Sequence, residues 1–186
     1  IVQGRVAATH LRAESLPLDR LEAHFRLNQA GLEARQFALA RGRTTLQGQG
    51  RLGFTGWKLL DGSPLAASGV LKDADLAELL AENGHREVPV SGLASLEVQL
   101  AGTWAEPSAT GALRVRQALV YGQKLDQVRA GFNLKGKHFQ VTGGRAERAS
   151  AALEIEGAFD RSGADWRNGF ARFQVRSRGL TLARIQ

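Results

Sequence analysis

Apolar and polar residues alternate along most of this chain. From Leu21 to Leu27 every second residue is apolar, and Glu22, His24 and Arg26 occupy the positions between. Successive side chains of a β-strand point to opposite faces, so this spacing predicts a strand with one buried face. The same alternation recurs in the segments 96–100, 113–115, 128–134, 153–157 and 173–175. It predicts an all-β fold whose strands each carry one apolar face.

Short breaks that contain glycine or asparagine separate the alternating segments. They lie at Asn28–Gly31, Arg41–Arg43, Lys135–Lys137 and Thr142–Gly144. Breaks of this length and composition are typical of β-hairpin turns. The strands are therefore expected to form a meander in which each strand pairs with the next.

One segment has helical spacing instead. Between Asp73 and Gly84 the leucines fall at 76, 79 and 80, which is the spacing of a single helix face. Asp73 or Asp75 can cap the start of such a helix, and Asn83 with Gly84 can end it. We expect one short helix of about ten residues here, beside or against the sheet.

An internal repeat becomes visible when the chain is shifted by 107 positions. The shift needs no gap between the halves 4–54 and 111–160, and it matches the pairs Gly4/Gly111, Asp19/Asp126, Phe25/Phe132 and Gly50/Gly157. Alternation alone would produce the phenylalanine match, but it explains the glycine and aspartate matches less well. We expect residues 1–186 to be one elongated β-repeat fragment of a larger protein, with its halves joined by a helix-bearing link around 73–83.

Composition narrows the possible functions. The chain of 186 residues has a formal net charge of +7, which favours contact with anionic surfaces, but its arginines are scattered singly and no basic cluster interleaves with aromatics. Nucleic-acid binding is therefore disfavoured. The absence of cysteine excludes disulfides and thiolate chemistry. No apolar run approaches the ~18 residues that a membrane-spanning helix needs.

Three patterns could suggest chemistry. Gly48–Gly53 reads G-x-G-x-x-G, but it lies within an alternating strand pattern and no helical run follows, so dinucleotide binding is disfavoured. Glu154 and Glu156 share a strand face, which is the solvent face opposite Leu153 and Ile155. The four histidines, at 10, 24, 85 and 138, match no compact metal spacing. We predict no catalytic residue, no cofactor and no metal, and hence a protein that is not an enzyme.

The segment from Leu100 to Val115 resembles a phrase that recurs in the TamB family and its AsmA-like relatives, the bridge-type lipid transfer proteins. It reads L-x-G-T-x-x-x-P-x-x-x-G-x-L-x-V and continues through Tyr121-Gly122 and Leu125-Asp126. The preceding Gly69–Leu76 and Val88–Gly92 are similar to the helix-bearing link that those proteins place between β segments.

The resemblance implies an elongated, curved β-sheet trough, a β-taco, with an apolar inner face. It also implies the periplasmic portion of an inner-membrane-anchored protein in a bacterium with an outer membrane. Such proteins move phospholipid between the inner and outer membranes, and the TamB family is also associated with outer-membrane biogenesis and protein secretion. The expected partners are phospholipid acyl chains and, through the parent protein, a TamA-like outer-membrane barrel.

The inward members of the alternating sets are the candidate groove lining for lipid. They are Leu21, Phe25, Leu27, Leu32, Leu46, Leu96, Val98, Leu113, Val115, Val128, Phe132, Leu134, Phe139, Val141, Leu153, Ile155, Phe173 and Val175. One alternative is a scaffold or chaperone-like module that pairs an exposed strand edge with a client strand. Another is a closed sandwich whose apolar faces cover each other and bind nothing.

Overall fold

A computed structural model describes residues 1–13, 16–82, 84–162 and 168–178 of the chain. The described part contains one helix, α1, and eleven strands. In chain order these are β1 (Val2–Ala13), β2 (Leu16–Asn28), β3 (Gly31–Arg41), β4 (Thr44–Gly53), β5 (Pro64–Asp75), α1 (Leu76–Glu82), β6 (Val90–Thr103), β7 (Pro107–Val120), β8 (Gln123–Lys135), β9 (His138–Arg148), β10 (Ala151–Arg161) and β11 (Gly169–Arg178).

The strands form one antiparallel sheet in which every strand lies beside its neighbour in the sequence, from β1 to β11. The all-β class with one short helix is therefore confirmed, and so is the meander of hairpins. The chain also divides into two compact units. The first comprises Ile1–Ala74, Ser95–Gly111 and Leu134–Gly136, and the second comprises Asp75–Ala94, Ala112–Asn133 and Lys137–Gln186.

Three of the four predicted breaks are turns, and the fourth is not. Residues 29–30, 42–43 and 136–137 form two-residue turns between strands. The break expected at Thr142–Gly144 is wrong, because these residues lie inside β9. There the pairing with β10 slips between Ile155 and Gly157, and Gly143 has a φ of +56°. A β-bulge takes up the extra residue without ending the strand, so the glycines mark a bend and not a turn.

The helix is shorter than predicted. It spans seven residues, because Asp73 and Ala74 belong to β5. Of the two proposed N-caps, Asp75 is the one used, since its Oδ1 accepts hydrogen bonds from the backbone N–H groups of Ala77 and Glu78 at 3.0 and 3.1 Å. Gly84 follows the helix with a φ of +80°, as a C-terminal glycine cap requires.

The strand bounds repeat with the 107-residue offset. β2 and β3 begin and end 107 positions before β8 and β9. Each half also contains the same turn contact. The Asp19 carboxylate accepts a hydrogen bond from the backbone N–H of Gly42 at 2.6 Å, and the Asp126 carboxylate accepts one from Ala149 N–H at 2.7 Å. An aspartate in the first strand thus holds the turn that joins the next two.

Replacing either aspartate by alanine is expected to lower the free energy of unfolding by about 1 kcal/mol, because each turn loses a charge-assisted hydrogen bond to its backbone. Urea denaturation of Asp19→Ala and Asp126→Ala measures the loss. Asp61→Ala removes the same charge from an exposed loop position and should change the midpoint little. An equal shift in all three variants would mean that net charge, and not the turn contact, determines the effect.

Candidate functional site

The apolar face of the first unit is ordered into rows that cross the strands. Residues paired directly across antiparallel strands project from the same face. The strand register therefore defines one row of Val2, Leu27, Leu32, Leu52 and Leu65, and another of Ala8, Leu21, Leu39, Leu46 and Leu71. Two ridges of mostly leucine side chains thus run across β1 to β5.

Small residues and two phenylalanines fill the space between these ridges. The two intermediate rows are Gly4, Phe25, Ala34, Gly50 and Ala67, and Val6, Ala23, Phe37, Gly48 and Gly69. The floor between the leucine ridges therefore consists of backbone, small apolar side chains and the two phenylalanine rings. We call this feature, the two ridges with the floor between them, the apolar channel.

The phenylalanine rings lie over glycines on the neighbouring strands. A Cβ added at Gly4 would lie 3.3 Å from Phe25 Cζ, and one added at Gly48 would lie 2.7 Å from Phe37 Cζ. An aromatic ring that covers a cross-strand glycine compensates for the missing side chain and fixes the register of the two strands. These glycines are therefore needed for close approach of a ring, which is a different role from phosphate binding. Gly48 and Gly50 lie inside β4, in the strand setting that the alternation predicts.

The second unit has a comparable apolar face on β9, β10 and β11. The register aligns Val141 with Gly157 and Phe173, and Gly144 with Ile155 and Val175. A Cβ at Gly157 would lie 2.8 Å from Phe173 Cε1, which repeats the arrangement of a ring over a glycine. The rings of Phe132 and Phe139 stack with centroids 6.2 Å apart, so β8 contributes to the same face.

The strand register or a side-chain contact locates many of the predicted lining residues. Each residue located in this way lies on one of these apolar faces. In the first unit these are Leu21, Phe25, Leu27, Leu32 and Leu46, and Val98 lies near Gly69. In the second unit they are Phe132, Phe139, Val141, Leu153, Ile155, Phe173 and Val175. Leu96, Leu113, Val128 and Leu134 are half-buried within β6, β7 and β8. Val115 differs, because only 5% of it is exposed and it packs beside Gly92.

Large apolar side chains are only partly covered. Among the described residues, no large side chain is fully buried, and the buried apolar residues are six alanines and Val115. Phe173 is 68% exposed. In a closed sandwich, large side chains from two sheets bury one another. The described residues therefore argue against the sandwich alternative.

The opposite face is polar and carries ion pairs between neighbouring strand positions. Arg20 pairs with Glu22, and the hydrogen bond from Arg20 holds the pKa of the Glu22 carboxyl below its ordinary value. Arg145 bonds Glu147 and lies 3.8 Å from Glu154, which also lies 3.8 Å from Arg178. Glu154 thus lies between two guanidinium groups. Exposed pairs of this kind add little stability.

Sequence reasoning missed two shallow grooves on this polar face. A groove of about 790 Å³ in the first unit and one of about 370 Å³ in the second occur at equivalent positions of the repeat, beside the bulges in β3 and β9. Arginine, glutamine and hydroxyl side chains surround small residues in the larger groove. Its polar lining is Glu33, Arg35, Gln49, Arg51, Ser68, Gln99, Ser108 and Thr110. The signal that could have located them is the interruption of the alternation at the bulge.

His138, on the polar face of β9, has a charged partner. Its Nδ1 lies 2.7 Å from Asp160 Oδ1, and Arg172 Nη2 lies 3.2 Å from Asp160 Oδ2. The hydrogen bond with His138, and then that with Arg172, lower the pKa of the Asp160 carboxyl. All three side chains remain largely exposed, so the cluster links β9, β10 and β11 at the surface.

The lowered pKa predicts acid sensitivity at this cluster. Because the folded-state pKa lies below the ordinary value of 3.8, the carboxylate contributes stability above that value. The contribution is lost as pH falls through the folded-state pKa. We expect the urea midpoint of the wild type to fall more than that of Asp160→Asn between about pH 5 and pH 2. Asp61→Asn is the control. If the urea midpoints of the wild type and Asp160→Asn fell by the same amount, the prediction would be contradicted.

Metal-ligating side chains do not cluster among the described residues. Within these ranges, no three histidine, aspartate or glutamate side chains are grouped so that they could hold a metal ion. No helix of the described chain is long and apolar enough to cross a membrane. The apolar faces are the candidate site, and what they offer is shielding from water.

Comparison with protein-family models, curated proteins and solved structures finds no match. The resemblance to the TamB family stays a prediction. The function of the apolar faces must be argued from their own geometry.

Proposed function

We propose that the apolar faces shield lipid acyl chains from water, so that this chain acts as a segment of a phospholipid conduit. The observation that carries the proposal is the apolar channel of the first unit. An acyl chain is a narrow, flexible cylinder of methylenes, and the apolar strip between the leucine ridges offers it contact across five strands. No reaction or cofactor is needed.

The direction of the channel fits transport better than a closed pocket would. Its rows cross the strands at ~4.8 Å per strand, so each added strand lengthens the channel by that amount. Five strands, β1 to β5, share the same four rows. An acyl chain can therefore lie along the rows and contact leucines from several strands at once.

The energy involved is large enough to matter. Each methylene transferred from water to an apolar surface is worth ~0.8 kcal/mol, so full shielding of a sixteen-carbon chain is worth on the order of 10 kcal/mol. Lipid that crosses an aqueous gap unprotected meets a barrier of that size. Partial shielding by a continuous apolar surface removes much of it, while the weak individual contacts still let the lipid slide.

The biological setting proposed with this function is that of the TamB family and its AsmA-like relatives. The chain would be the periplasmic portion of an inner-membrane-anchored protein that spans the envelope to an outer membrane. The sequence phrase between Leu100 and Val115 supports this setting, and so does the repeat of strand bounds. Through its parent protein the segment would work with a TamA-like outer-membrane barrel.

Site-specific photo-crosslinking tests the proposal. A photoreactive residue at Phe132 lies on the apolar face of β8, and one at Arg129 lies on the opposite face of the same strand. In protein purified with its phospholipid, adducts with lipid are expected at Phe132 at least fivefold more often than at Arg129. Native mass spectrometry of the same samples should show phospholipid bound to the intact chain.

Two results would contradict lipid shielding. Equal adduct formation at both positions would mean that the strand contacts lipid without preference for a face. If no adducts formed at either position and the mass spectra showed lipid-free protein, the apolar faces would not bind lipid.

The second candidate is a scaffold that pairs a strand edge with a client β-strand. The edge at which a client strand would add is that of β11, the last described strand in the order. Strand addition depends on backbone hydrogen bonds, so a proline in β11 should weaken client binding more than Phe132→Asp does. The opposite ranking would reject this candidate in favour of the apolar face.

A further inference from the structure

Three connections at one end of the first unit are joined by backbone hydrogen bonds. The loop between β4 and β5 donates from Phe54 N–H to Ala30 O at 2.7 Å, in the β2–β3 turn. The β6–β7 turn donates from Trp104 N–H to Ser63 O at 2.9 Å and from Ala105 N–H to Asp61 O at 3.1 Å. These bonds hold the loops in fixed positions relative to one another.

The joined loops present large apolar side chains to solvent. Trp57 is 57% exposed and Trp104 is 51% exposed, and Leu59 and Leu60 are also exposed. We call these four residues the tryptophan tip. Exposed tryptophan and leucine close together in the loops of one end are unusual, because folding alone favours covering them.

Trp57 has a backbone conformation that is unfavourable for a bulky residue. Thr55 and Lys58 exchange backbone hydrogen bonds at 2.9 and 3.1 Å, and the two residues between them, Gly56 and Trp57, have φ values of +58° and +70°. This is a two-residue turn that normally carries glycine or asparagine at both positions. A bulky residue at positive φ is an outlier, and such strain clusters at functional sites. Packing within the unit does not explain the tryptophan, since most of it is in solvent.

We propose that the tryptophan tip inserts into the interfacial region of a phospholipid bilayer. Tryptophan prefers this region because its ring is apolar while its indole N–H bonds to headgroups and water, and leucine adds apolar contact below it. The charged residues next to the tip in the sequence are Lys58, Asp61 and Glu106. These do not form a basic patch, so the apolar residues drive insertion and neutral bilayers suffice.

The proposal goes beyond acyl-chain shielding. The apolar channel would hold single lipid molecules, whereas the tip would bring the first unit to a membrane surface. A donor or acceptor bilayer placed there would lie close to the ends of β4, β5, β6 and β7.

Vesicle binding of the full chain tests the tip. The protein is mixed with phosphatidylcholine vesicles, and with vesicles that also contain phosphatidylglycerol, and binding is measured by flotation. Trp166→Phe provides the background, so that fluorescence reports Trp57 and Trp104. We expect a blue shift of the emission and quenching by lipids brominated near the headgroup end of the acyl chain, in both kinds of vesicle.

The tip variant is Trp57→Asn combined with Trp104→Ser, because asparagine tolerates positive φ and keeps the turn. It should bind vesicles at least tenfold more weakly and still retain the phospholipid bound to the wild type in native mass spectra. Phe170→Ser removes an aromatic residue that is 79% exposed in the second unit and should bind within twofold of the wild type.

Three results would overturn the proposal. One is vesicle binding that the tip variant and Phe170→Ser lose equally. Another is binding only to vesicles with phosphatidylglycerol and unchanged in the tip variant, which would reflect the net charge of the chain. The third is the absence of both binding and fluorescence change. If the wild type carried no bound phospholipid, the proposal for the apolar channel would be contradicted. The proposal for the tryptophan tip would not.

Discussion

Gly92→Ala is expected to lower the free energy of unfolding by about 3 kcal/mol, the largest stability effect that we predict for a single methyl group. Gly92 lies in β6 with a φ of +139°, which L-residues rarely adopt. A Cβ there would lie 2.8 Å from Val115 Cγ1 and 3.0 Å from Arg116 O. The added methyl group must therefore displace the backbone of the neighbouring strand. Urea denaturation followed by circular dichroism measures the change.

Two glycine controls separate crowding from backbone strain. Gly62→Ala adds a methyl group where nothing lies within 4 Å and should change stability little. Gly84→Ala has positive φ but open space, so it should lose only the conformational part, about 1 kcal/mol. If Gly92→Ala were no more destabilising than Gly84→Ala, the close approach of β6 and β7 at this point would not constrain the fold.

Phe173→Asp is expected to reduce the phospholipid retained by the purified protein about tenfold, whereas Gln174→Asp should leave it within twofold. The two residues are adjacent on β11 and on opposite faces, and both substitutions add one negative charge. Phe173 is largely exposed, but its ring also covers Gly157, so the fold of this variant is checked separately. A carboxylate on the apolar face keeps its hydration shell and excludes methylenes from the surface around it.

Lipid extraction and quantification by mass spectrometry, at equal protein and after the same detergent wash, provides the comparison. Circular dichroism of both variants shows whether the sheet persists. Retention at the wild-type level in both variants would mean that lipid binding does not depend on the apolar face of β11. A matching loss in both would point to charge as the determinant.

Alternation alone was enough to predict strands such as β2, β6, β8 and β10, and the face on which most predicted lining residues lie. Leu21, Phe25 and Leu27 illustrate this, because a side chain's face depends only on its own strand once its neighbours are extended. The turn at Arg41–Arg43 was equally accessible, since a glycine between two alternating segments is typical of a hairpin turn. The bounds of β2 and β8 differ by the same 107 positions as the repeat in the sequence.

Features that depend on which residue faces which across strands could not be predicted. The rings over Gly4 and Gly48 follow from register, and register is set by turns and bulges together. Thr142–Gly144 looked like a turn because a bulge and a turn share the same glycine signal. The helix was predicted too long because Asp73 and Ala74 have no local feature that separates the last strand residues from a first helical turn. The tryptophan tip could not be predicted because the sequence does not show which loops meet.

The order of the strands has a consequence for how this protein is made. Every strand pairs with the strand before it in the chain, so the contacts of the sheet are short in sequence. Proteins with such local contacts fold faster than those whose strands pair at a distance, and in repeat arrays folding can start at one place and propagate. The sheet can therefore extend hairpin by hairpin as the chain becomes available for folding. Each new strand then covers the edge left exposed by the one before it, which limits the time during which that edge could aggregate.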